Sequence, residues 1–124
     1  MMYALLLHYP EVSTEDLGEE ALAAGEAAFA AYGAALDAAG VMVSAQVLQP
    51  ASASTRVAWR EGALQVQDGP YADTKEQLGG VVVLDVPDLD AATEWAARAP
   101  SAEWGTVEVR PLAVRFLDGG WQPA

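Results

Sequence analysis

The chain has 124 residues, 52% of them hydrophobic and none of them cysteine. That composition supports one domain with its own core and excludes a disulfide frame, a thiolate metal site and a cysteine nucleophile. Six Lys and Arg stand against 18 Asp and Glu, a formal charge of −12; nucleic acids and anionic membranes are bound through clustered cations, so neither is expected as a partner.

Met2–Tyr9 is a nearly unbroken apolar run closed by Pro10, the pattern of a central strand buried on both faces. No basic leader precedes it, and no apolar run reaches the roughly 18–20 residues of a bilayer span. With no cysteine, the expectation is a soluble, cytoplasmic protein. Ser13-Thr-Glu-Asp16 reads as a helix start, a hydroxyl cap followed by acids where the helix dipole favours them. One helix is predicted from there to Ala39, with Gly40 as its left-handed stop and Leu22, Phe29, Tyr32 and Leu36 on one stripe. Gly25 falls on that stripe at a cost of roughly 1 kcal/mol against alanine, which predicts a close approach of a neighbouring element there.

Val41–Leu48 is the second predicted strand, ended by Pro50. Thr55–Arg60 alternates Thr55, Val57 and Trp59 against Arg56, Ala58 and Arg60, and Glu61-Gly62 turns it back into Ala63–Gln67. Leu64 and Val66 are expected on the inner face of this hairpin. A polar loop, Asp68–Gly80, feeds the buried strand Val81–Val86. Asp88 caps a second helix, Leu89–Ala99, whose buried stripe is Leu89, Ala92, Trp95, Ala96 and Ala99, and Pro100 ends it. Thr106–Arg110 is the last alternating strand before Pro111. Residues 112–124 have strand character followed by Gly119-Gly120, and are predicted as an edge strand or an arm beyond a domain of residues 1–111.

The order β-α-β, hairpin, β-α-β is that of a ferredoxin-like α+β fold, with a mainly antiparallel sheet and both helices on one face. The other sheet face has no helix to cover it. Left in water it would be a large apolar patch, and a second copy packed sheet to sheet is the simplest cover. The expectation is a homodimer with the character of a dimeric α/β barrel.

Asp68-Gly-Pro-Tyr71 with Thr74-Lys-Glu-Gln-Leu-Gly-Gly80 is the most specific string in the chain. Together with the Tyr3–Leu7 strand, Ala39-Gly40-Val41, Leu48-Gln-Pro50, Val86–Asp90 and Val107–Pro111, it resembles the YCII-related family, in the branch named for an Asp-Gly-Pro-Phe motif. The resemblance implies a ferredoxin-like fold, a homodimer with facing sheets and a ligand cleft beside the dimer interface. Tyr71 stands where that motif has phenylalanine. The family's helix-one histidine would fall near Phe29, and the only histidine here is His8, so the suggested His–Asp chemistry does not carry over. Some relatives are associated with transcription proteins, yet the acidic charge gives no support for contact with DNA.

Asp68, Gly69 and Pro70 suit a tight turn, and the Asp68 carboxylate could equally be aimed into a cleft. Lys75, the only lysine, and Glu76 form a charged pair that is either a solvated loop or, if buried, one whose lysine becomes a base, a Schiff-base former or an anion clamp. Glu108 and Arg110 share one strand face, either as a pair in water or as an acid–base group beside an arginine that holds a carboxylate. His8 ends the first strand as a hydrogen-bonded edge residue or a proton-transfer group, and Tyr9 and Tyr71 are possible donors. No metal-ligand spacing and no phosphate loop is present, so neither metal nor cofactor is expected.

The leading expectation is a homodimeric binder of a small molecule, anionic molecules included. Acid–base catalysis would be carried by Asp68, Glu76 or His8, and binding by Lys75, Arg110, Glu108, Tyr71, Gly69 and Pro70; whether the protein is an enzyme stays open. The rival is a non-catalytic dimeric interaction module serving transcription-related proteins without touching DNA.

Overall fold

The computed structural model describes Met1–Ala124. Strand β1 (Met2–Tyr9) is followed by helices α1 (Thr14–Leu17) and α2 (Glu19–Ala38), and then by β2 (Met42–Val47). Strands β3 (Thr55–Arg60) and β4 (Ala63–Asp68) form a hairpin. β5 (Gln77–Asp85), α3 (Leu89–Arg98) and β6 (Thr106–Pro111) complete the domain, and β7 (Val114–Leu117) and β8 (Gly120–Pro123) end the chain. The main sheet has the order β2-β5-β1-β6 with every neighbouring pair antiparallel. Each βαβ unit therefore skips one strand position, and the second unit inserts between the strands of the first. That is the ferredoxin-like α+β fold.

Register decides which side chains meet the helices. Tyr3, Leu5 and Leu7 stand opposite Leu84, Val82 and Gly80, and they point into the core with Tyr32 and Leu36 of α2 and Ala92 and Ala96 of α3. The alternate positions form the open face. Ala4, Leu6 and His8 of β1 lie opposite Arg110, Glu108 and Thr106 of β6, and Ala4 and Leu6 also lie opposite Val83 and Val81 of β5.

The expected start of the first helix is present, since Ser13 Oγ accepts from Asp16 N–H at 3.1 Å. It is not one helix, however. Gly18, at φ 85°, stops α1 after one turn and opens α2. At the far end Gly40 has φ 70°, and Val41 N–H donates back to the Leu36 carbonyl, the glycine stop read from the sequence. Gly25 meets no close neighbour, contrary to expectation: only the C-terminal half of α2, at Tyr32 and Leu36, is fully buried, and Gly25 faces an open groove. In α3, Asp88 accepts from Ala91 N–H at 2.9 Å, and Ala92 and Ala96 are buried while Leu89, expected on the same stripe, is exposed.

Three further expectations are corrected. β5 begins at Gln77, so Gly79 and Gly80 are strand residues rather than the end of a loop. The β3–β4 hairpin stands apart as its own two-stranded sheet, and its Leu64 and Val66 face is exposed, since no element of the domain covers it. The C-terminal segment is not an edge strand of the main sheet. It folds on itself as the β7–β8 hairpin through Asp118-Gly119, both with positive φ.

Candidate functional site

The open sheet face carries its polar groups at one end. His8 and Glu108 are diagonal neighbours across the β1–β6 pair, with His8 Nε2 3.5 Å from Glu108 Oε1. The other carboxylate oxygen, Oε2, accepts from Arg110 Nη2, two residues along the same strand and on the same face. Glu108 thus joins an imidazole to a guanidinium, and both the carboxylate and the imidazole are half-buried. A carboxylate beside one ring nitrogen orients the imidazole, a geometry in which histidine can serve as a proton-transfer group. Arg110 is largely exposed and has guanidinium N–H groups to spare.

His8 and Glu108 lie in the wall of an open cleft of about 1040 Å³. Leu48–Pro50 and Ser54 bound one side and Pro70, Tyr71, Thr74 and Glu76–Leu78 the other, with Thr106 beside His8. Hydrogen bonds fix the two bounding loops, one of which holds a 3-10 turn at Ala51–Ala53. Thr74 Oγ1 donates to the Glu76 carbonyl at 2.6 Å, and the Gln77 amide donates to the carbonyls of Ala72 and Thr74. Gly69, at φ 100°, donates its N–H to the Ser54 carbonyl at 2.8 Å, tying one loop to the other. Leu48 N–H donates to the Gly79 carbonyl at 2.8 Å, and Glu11 Oε1 accepts from Ala51 N–H at 2.7 Å.

The glycine pair beneath the cleft is required by packing. A Cβ on Gly79 would fall inside the ring of Tyr9, and one on Gly80 would lie 3.1 Å from the Gln46 carbonyl oxygen. Tyr9 itself turns to the helix side, where it packs on Trp104 with ring centroids 5.4 Å apart. Burial and the Glu11 charge both raise the Tyr9 pKa. It is not part of the cleft.

Of the residues named from sequence, His8, Pro70, Tyr71, Glu76 and Glu108 line the cleft, and Arg110 joins it through Glu108. Asp68 and Lys75 do not line it. Asp68 is the last residue of β4, exposed and opposite Thr55, and Lys75 is exposed in the loop and enters no ion pair. Gly69 serves the turn. Thr106 and Gln77 were not foreseen; Thr106 shares the two-residue alternation of Glu108 and Arg110, whereas nothing local marks Gln77. No group of three or more His, Asp or Glu side chains is placed to hold a metal ion, and no helix is long and apolar enough to cross a membrane.

Comparison with known proteins gives a relative in Rhizobium meliloti (strain 1021), an uncharacterized protein 41% identical over 69 residues. The match covers 54% of this chain and 56% of that protein, so the chain spans about half the length of the curated relative it matches. A family model covers far more. It matches residues 1–115, from β1 into β7, taking in the whole ferredoxin-like domain and every residue of the cleft, and the chain belongs to the YCII-related domain family.

Proposed function

We propose that the cleft at the His8 end of the open face binds a small molecule carrying a carboxylate or similar anionic group next to a transferable proton. Arg110 holds the anion through the N–H groups that Glu108 does not use, and His8, backed by Glu108, moves the proton. Glu76 and Tyr71 supply further polar contacts from the loop. The observation that supports this most is the shared Glu108 carboxylate, which lies in the cleft wall with His8 and ties the Arg110 guanidinium to it. Asp68 and Lys75 are left without a part in the proton transfer. The protein acts as a homodimer in the Asp-Gly-Pro-Phe branch of its family, a second copy covering the open face around Leu6, Val81 and Val83.

The single histidine makes the test direct, because its imidazole Cε1–H gives one resonance. Small carboxylic acids are screened by NMR against uniformly labelled protein. The expected result is a compound that moves the His8 resonance in the wild type and binds at least about tenfold more weakly to Arg110→Ala, the loss of one charge-assisted hydrogen bond. A panel that leaves the resonance unmoved, or equal binding by Arg110→Ala, would remove the proposal.

A further inference from the structure

Two hairpins stand away from the domain, and each carries an apolar face that nothing covers. On β3–β4, Val57 lies opposite Val66 and Trp59 opposite Leu64; the four are 64%, 58%, 68% and 51% exposed. On β7–β8, Phe116 lies opposite Trp121 with their rings edge to face, centroids 5.5 Å apart, and they are 59% and 71% exposed. Each hairpin is a two-stranded sheet of its own, and such a unit is marginally stable in water without something to pack on. The three exposed aromatics alone present roughly 400 Å², about half of what one partner contributes to a standard protein interface. β7–β8 lies almost wholly beyond residue 115, where the family match ends.

Charge indicates what covers these faces. Segments 10–40 and 87–105, which build the helix layer, hold eleven of the eighteen acids and one base, Arg98. The strands, hairpins and remaining loops hold seven acids against five bases, Arg56, Arg60, Lys75, Arg110 and Arg115. Two copies of so acidic a chain repel each other most through their helix layers and least through the segments that hold the bases, and both hairpins belong to those segments, with Arg56 and Arg60 on β3 and Arg115 on β7. We propose that the β3–β4 and β7–β8 hairpins are arms that seat their aromatic faces on a second copy of this chain. This rests on the homodimer reading and adds that the arms, rather than the open sheet face alone, hold the dimer together.

The test uses the full chain, with association measured by sedimentation equilibrium over a wide range of concentration. Val57→Ser/Trp59→Ser and Phe116→Ser/Trp121→Ser disable one arm each, and Leu6→Lys disables the open face. The expected result is a wild-type dimer whose dissociation constant rises about 30-fold or more for each arm variant, the scale of losing an interface hot spot. If both arm variants associate like the wild type while Leu6→Lys separates the copies, the arms are overturned and the homodimer stands. A wild type that is monomeric at every concentration overturns both. Hydrogen exchange of the β7–β8 amides in the unaltered protein checks the result without substitution. Protection that disappears on dilution is expected, and exchange independent of concentration would overturn the arm.

Discussion

Tyr32 shows how one side chain links the helix layer. Its hydroxyl donates to the Trp95 carbonyl at 2.8 Å, joining α2 to α3, and Arg98 lies over the Trp95 ring 4.3 Å from its centroid. Burial pushes the Tyr32 pKa up to about 12, against a smaller opposing pull from Arg98. The folded value lies above the unfolded one, so the stabilisation is complete below pH 10 and is lost as pH rises toward 12. Urea unfolding should show wild type falling by roughly 2 kcal/mol across that window. Tyr32→Phe begins about 1 kcal/mol lower for want of the hydrogen bond and lacks that fall, so the two curves should approach and then cross as pH rises toward 12. Parallel curves would mean that Tyr32 titrates as freely in the fold as out of it. Gly79 is a second case. Its Cβ-free backbone is the seat of the Tyr9 ring, so Gly79→Ala should cost about 1–3 kcal/mol by the same measurement and displace the ring. An unchanged unfolding midpoint would show that the ring moves aside without penalty. The glycine pair was visible in the sequence, but its reason was not, because Tyr9 is seventy residues away in the chain.

At the scale of elements, local chemistry was legible wherever a few adjacent residues carry it. The Ser13 and Asp88 caps, the Gly40 stop and the Glu61-Gly62 turn all form where their residue types place them. Asp88→Ala should cost about 1 kcal/mol of thermal stability through the unsatisfied Ala91 N–H, with α3 fraying from its first turn. No change in melting would mean that the helix is held by Ala92 and Ala96 alone. Gly18 carries no such signal, since acids flank it on both sides as in the first turn of one continuous helix, yet its backbone takes a conformation that breaks the helix. The C-terminal hairpin turns at Asp118-Gly119, a strong local hairpin signal between Val114–Leu117 and Trp121 that favours a hairpin over a single edge strand.

At the scale of the whole molecule, charge and topology act together. With eleven acids and one base in its helix layer, the domain is destabilised by its own field at low ionic strength. Raising salt from about 0.01 M to about 0.15 M shortens the screening length from about 30 Å to about 8 Å and should raise the melting temperature by a few degrees. A flat or falling response would mean that the acids are already spread widely enough to be screened. The same partition leaves the strands, hairpins and remaining loops nearly balanced, seven acids against five bases, and the candidate site is built from them. Sequence alone determined the main strands and helices of the domain, their βαβ order and the family, because periodicity, caps and the Asp-Gly-Pro string act over short range. Only the tertiary structure decided that His8, Glu108 and Arg110 meet while Asp68 and Lys75 stand aside. That outcome depends on the β1–β6 register between strands nearly a hundred residues apart, and no local pattern encodes it.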